Sequence, residues 1–208
     1  MHIALIGMSA VGKSYWSQCL QRVGFACFDC DGMIRQKLSL DLANPLEALA
    51  DLTAWMGRPT DGEYELRASR YLAQEKTTLA EIVSALAPGQ GLDDTDVVVD
   101  TTGSSVYAPP AIWSRFRQRA KIVHLATTPK VQAEMLSRFR ADPRPLIWNE
   151  LFEFRPGETL DDAYARCYPA LLQQREGLYA RYRDVGIDYH EHRRPNLTPE
   201  RFLQLVGS

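Results

Sequence analysis

The sequence has no apolar run near the roughly 20 residues that a membrane-spanning helix requires. It has no surplus of charge either: 24 Lys and Arg stand against 26 Asp and Glu, a formal net charge of −2. The first lack excludes a helical integral membrane protein. The second argues against a surface built for nucleic acid, which is normally basic. Cysteine is scarce, with four in 208 residues, too few for a disulfide scaffold. Cys27 and Cys30 do form a C-x-x-C, but a structural zinc site needs a second ligand pair, and none follows at suitable spacing. Of metal or redox use and two reduced thiols beside a strand, the thiols are the better reading. No basic n-region or cleavage site precedes the first apolar run, so the expected location is cytoplasmic.

Hydrophobic residues make up 45% of the chain, enough for one sizeable core, and one domain is the expectation at this length. His2–Ile6, Val97–Val99 and Lys121–Leu125 are short apolar runs without polar alternation, as in parallel strands covered on both faces. A weaker run, Phe25–Phe28, lies after the first helical signal, in which Tyr15, Cys19, Leu20 and Val23 recur at helix spacing. Further helices are expected over Leu66–Leu86, Pro129–Phe139, Tyr164–Tyr182 and Leu197–Val206, the last with Thr198 as N-cap and Pro199 at its first position. Strands alternating with helices predict an open, parallel α/β sheet. Asn44–Gly62 and Ala141–Glu158, rich in Pro and Gly or in Pro and aromatics, read as loops.

Gly7-Met-Ser-Ala-Val-Gly12-Lys13-Ser14 matches G-x-x-x-x-G-K-[ST] between a strand and a helix. In such a loop the backbone N–H groups of Ser9, Ala10, Val11, Gly12 and Tyr15 converge on phosphate oxygens, the lysine reaches the outer phosphates and the serine hydroxyl ligates Mg²⁺. ATP and Mg²⁺ are therefore the expected cofactors. Asp100 closes the apolar strand Val97-Val-Val. It either holds Mg²⁺ opposite Ser14 or caps the following turn, and the metal role is favoured. A P-loop alone does not separate kinases from GTPases or motors, but no N-K-x-D guanine motif is present.

Five further segments, in order along nearly the whole chain, make it resemble shikimate kinase: Asp29-Cys-Asp31, Asp61-Gly-Glu-Tyr-Glu-Leu-Arg67, Arg144-Pro-Leu-Ile147, Arg175-Glu-Gly-Leu-Tyr179 and Arg193-Arg-Pro195. The resemblance implies a P-loop α/β/α fold with a sheet of about five strands, a helical substrate-binding subregion over about 32–86 and a mobile lid over about 138–160. It implies that Asp31 accepts the proton of the attacking hydroxyl, that Asp29 joins Ser14 and Asp100 at Mg²⁺, and that Lys13 and Arg144 neutralise the transferred phosphoryl group. Arg67 and Arg175 would grip an anionic acceptor beside Gly103 and Ser104. Arg138 and Pro195 would lie against the adenine. The implied protein is a monomer or weak dimer that phosphorylates a hydroxyl of a small anionic metabolite.

Departures from the family pattern fall on the acceptor side. Its glycine triplet reads Gly103-Ser104-Ser105, its glutamate three residues after the substrate arginine is Arg70, and the lid continues into Trp148-Asn-Glu-Leu-Phe152. Asp100 replaces a small residue and leaves nucleotide or nucleoside kinases as a second reading. A non-enzymatic nucleotide-binding regulator would be expected to carry a damaged P-loop or D-x-D, and both are intact.

Overall fold

The computed structural model describes residues 1–40, 52–142 and 146–207. Its five strands are β1 (His2–Ile6), β2 (Ala26–Asp29), β3 (Val97–Asp100), β4 (Lys121–Leu125) and β5 (Val185–Ile187), ordered β2-β3-β1-β4-β5 in one parallel sheet. Between and after them run α1 (Lys13–Arg22), α2 (Cys30–Leu40), α3 (Leu52–Met56), α4 (Tyr64–Ala85), α5 (Pro110–Arg117), α6 (Pro129–Ala141), α7 (Leu160–Tyr182), α8 (Tyr189–His192) and α9 (Pro199–Gly207). This is the expected α/β sheet with helical layers.

Why the strand runs do not alternate is visible in their burial. Ile3, Ala4, Leu5 and Ile6 are all fully buried, as are Val97, Val98 and Val99. Successive side chains point to opposite faces, so both faces are covered. Two expectations shift. The second strand is Ala26–Asp29 rather than Phe25–Phe28, which makes Asp29 its last residue. In α1 the buried face is Trp16, Cys19 and Leu20, while Tyr15 and Val23 are exposed.

β1 and β4 are neighbours whose connections leave toward opposite edges of the sheet. Ligands of open α/β sheets bind in such a crevice, at the carboxyl ends of the strands. The C-terminal segment closes over this place. Trp16 of α1 stacks on the fully buried Phe202 of α9, with ring centroids 4.1 Å apart, and its Nε1 donates to the carbonyl of His192 at 3.1 Å. That contact, worth about 1 kcal/mol beyond the buried area, fixes the residues after α8 beside the loop following β1. Among the described residues no helix is long and apolar enough to cross a membrane.

Candidate functional site

The loop after β1 is compact. Gly7 has φ +146°, and a β-carbon there would stand 2.7 Å from the carbonyl oxygen of Leu125 at the end of β4. Only glycine fits that approach without moving a backbone. Gly12, at φ +120°, lies under the Arg193 guanidinium, which donates to the Ala10 carbonyl at 3.2 Å. Lys13 is buried, and its Nζ donates to the carbonyls of Gly7 at 2.9 Å and Met8 at 3.0 Å. Burial lowers its pKa, and the charges of Asp100 and Asp31 oppose that shift.

The acidic edge is built on two adjacent parallel strands. Asp29 and Asp100 are register partners at the carboxyl edge, and Asp100 also pairs with Leu5. Asp31 follows two residues later, in the first turn of α2. The Ser14 hydroxyl lies beside Asp100. Burial raises Asp100, Ser14 and Lys13 hold it down, and Asp31 and Asp29 push it up again. Asp31 faces the open cleft but is desolvated by its walls, which raises its pKa; Lys13 opposes this and Asp29 adds to it. Among the described residues no three His, Cys, Asp or Glu side chains form a metal cage by themselves. Two carboxylates and a hydroxyl beside a phosphate loop nevertheless fit Mg²⁺, which binds through one or two carboxylates and completes its shell with substrate phosphates and water. A cation there would relieve the mutual repulsion of the three aspartates.

Beside this edge opens a cleft of about 830 Å³, within the usual range for a small-molecule site. Ser9, Ala10, Asp31, Gly103, Ser104, Arg138 and Arg175 of the expected set line it. Arg175, on α7, is 2% exposed; it donates to the Ile147 carbonyl at 2.7 Å, meets the Tyr107 hydroxyl at 3.3 Å and lies over that ring. Arg35, Tyr71 and Tyr189, which belong to none of the motifs, also line the cleft. Arg193 belongs to the Arg193-Arg-Pro195 segment, of which Pro195, with Arg138, is expected at the adenine. The structure puts Arg193 in the cleft wall and leaves Pro195 exposed outside it.

Other expected residues are placed elsewhere. Val11 is fully buried as a prop beneath the loop, and Tyr15 faces outward from α1. Arg67 does not line the cleft: its guanidinium pairs with Glu63 and donates to the Trp55 carbonyl at 2.7 Å. Arg70 is exposed on α4. Arg144 lies outside the described residues. Trp148 is buried among Phe139, Phe152, Tyr164 and Tyr168, so it fastens α6 to α7 instead of covering the cleft. Cys27 and Cys30 are free thiols held protonated by burial, Cys27 with its pKa pushed up to about 11.

The serine departures are accommodated inside the turn after β3. Ser105 is fully buried and donates to the Thr102 carbonyl at 2.9 Å. Ser104 Oγ donates to Glu75 of α4 at 2.7 Å, and Thr102 Oγ1 donates to the same carboxylate oxygen. Glu75 itself is 1% exposed, and burial raises its pKa to about 7 against those two hydrogen bonds. Nothing in the sequence spacing marked Glu75, because a lone glutamate inside a long helix reads as solvated surface.

No protein-family model matches the sequence, and no curated protein matches it. Solved structures do. The shikimate kinase of Acinetobacter baumannii, in complex with shikimate, is similar over 97% of this chain and 87% of its own, with 19% identity and a TM-score of 0.57. That of Aquifex aeolicus covers 100% and 92% at 14% identity and TM-score 0.54. That of Bacteroides thetaiotaomicron covers 100% and 94% at 15% identity and TM-score 0.59. The fold is thus the P-loop kinase fold that shikimate kinases adopt.

Proposed function

We propose that this chain, as a single kinase domain, moves the γ-phosphoryl group of ATP to a hydroxyl of a small anionic metabolite. The observation that carries the reading is that Asp31 and the phosphate loop face one cleft, with Lys13 buried between the loop and the acidic strand edge. On the donor side, the loop from Gly7 to Tyr15 cradles the phosphates through its backbone, and Lys13 exchanges its loop carbonyls for phosphate oxygens. Arg193 and Arg138 flank the nucleotide, with Pro195 nearby. Ser14, Asp100 and Asp29 would hold Mg²⁺, which would supply positive charge to neutralise the phosphates.

On the acceptor side, Asp31 takes the proton of the attacking hydroxyl, helped by its raised basicity. Arg175 grips the anionic group with a guanidinium already fixed by Ile147 and Tyr107, so little side-chain entropy is lost on binding. Gly103 and Ser104 form the adjoining wall. The region over 32–86 carries the acceptor side, and 138–160, with Arg144, serves as the lid. Arg67 belongs to the acceptor grip only if it leaves Glu63 and Trp55.

The test is coupled ADP release in Mg·ATP with a panel of hydroxy acids, sugar acids and shikimate. Acceptor-dependent turnover above the solvent background is expected for at least one member. Tight Mg·ATP binding with no acceptor-dependent turnover across the panel would remove the main support for the reading, and turnover of a nucleoside monophosphate would redirect it.

A further inference from the structure

Glu75 has no part in the chemistry above, yet it is a carboxylate buried directly behind the acceptor wall. Its Oε1 receives both the Thr102 and Ser104 hydroxyl protons, whereas Thr102 and Ser104 themselves border the cleft and Glu75 does not. A hydroxyl has a single proton to give. Once that proton is committed to Glu75, each oxygen can only accept. Thr102 Oγ1 already accepts from the Ser105 N–H at 3.0 Å and lies 3.3 Å from Ser104 Oγ, so its lone pairs are turned into the turn, and Ser104 Oγ is the better-placed atom to accept from a ligand. Tyr71 lies beside the two hydroxyls and donates weakly to Asp31 at 3.4 Å, linking this wall to Asp31.

We infer, building on the kinase reading, that Glu75 is a positioning residue that sets acceptor specificity: it orients Ser104 to accept a hydrogen bond from a second hydroxyl or ammonium group of the acceptor, beside the hydroxyl that Asp31 serves. The acceptor is then a molecule with at least two neighbouring donors and an anionic group for Arg175. A buried acceptor atom left unpaired costs a ligand lacking the second donor, which is how such a wall discriminates. The device works while Glu75 is ionised. When Glu75 carries its own proton, Ser104 is free to turn. The groups facing Glu75 are Cys30 and Asp31 of α2, Tyr71 of its own helix, Thr102 and Ser104 of the turn, and Arg175 and Tyr179 of α7.

The test is ligand-observed NMR binding without nucleotide, using gluconate, glycerate and shikimate, each against an analogue lacking one hydroxyl. We expect one hydroxylated probe to bind at least about tenfold tighter than its partner at pH 8, less so at pH 6. Ser104→Ala should erase the preference at both pH values. Glu75→Gln, checked for unchanged melting, should leave a preference that no longer varies with pH. No preference in any pair, no binding of any probe, a preference surviving in Ser104→Ala, or the same pH dependence in Glu75→Gln each overturns the inference. Because no turnover is read, a preference without phosphoryl transfer would sink the kinase reading alone, and transfer without a preference would sink this one alone.

Discussion

Gly103 packs against Ser9 so closely that a β-carbon on it would stand 2.7 Å from the serine Oγ and 3.3 Å from the Ser9 backbone nitrogen. The turn after β3 and the phosphate loop are therefore in mutual contact. Gly103→Ala should push Ser9 and loosen Mg·ADP binding by roughly tenfold, about 1.4 kcal/mol. Since the nearest atom is the tip of a small side chain, Ser9→Ala in the same chain should recover part of the loss. Calorimetric titration of both variants and the double variant forms the cycle; strict additivity would mean that the contact is not what matters.

Lys13 and Asp31 should separate binding from chemistry. Lys13→Ala should abolish nucleotide binding or turnover. Asp31→Asn should leave Mg·ATP affinity within a few-fold and cut transfer by roughly 10²–10⁴-fold, the usual worth of a general base. Full activity in Asp31→Asn would strip the residue of that role.

The two candidate acceptor arginines make opposite predictions. Arg175→Lys should raise the KM of whichever acceptor the panel identifies by at least about tenfold, because lysine cannot reproduce a fixed planar fork. Arg67→Lys should leave KM nearly unchanged and cost less than about 1 kcal/mol of stability, since its ionic partner, Glu63, is largely exposed. Equal KM effects would mean that Arg67 swings into the cleft on binding.

Glu75 also has a stability signature. Its folded pKa of about 7 exceeds its ordinary 4.5, so between those values the folded chain holds a proton that the unfolded chain has released. Its contribution therefore falls as pH rises through that window, by about 3 kcal/mol in all. Glu75→Gln should gain on the wild type by that order between pH 4.5 and 8, read by urea unfolding at each pH. A difference independent of pH would show that Glu75 ionises normally.

Much of the fold was legible because buried parallel strands need uninterrupted apolar residues: β1 and β4 run over the expected residues, and β3 gains only Asp100. β5 was not, since Val185-Gly-Ile187 is too short to carry a pattern. α1 shows how spacing misleads: Tyr15 and Trp16 are both aromatic, and only packing against Phe202 decides which one is buried. At the candidate site, Gly7 and Gly12 announce themselves because the curvature of the loop demands glycine, and Lys13 because it completes their motif. Arg67 and Arg175 looked equivalent by motif, and tertiary partners, invisible in the sequence, separate them. Glu75 was hidden for the same reason.

The stacking of Trp16 on Phe202 has a consequence for synthesis. The two residues are separated by nearly the whole chain, and at about 5–20 residues per second the ribosome delivers the second on the order of 10–40 s after the first. Through that interval the nascent loop has neither the cover of Arg193 nor the prop of α9. A nascent chain stalled before residue 193 should therefore capture nucleotide poorly, and release of the C-terminal segment should restore capture in a single step.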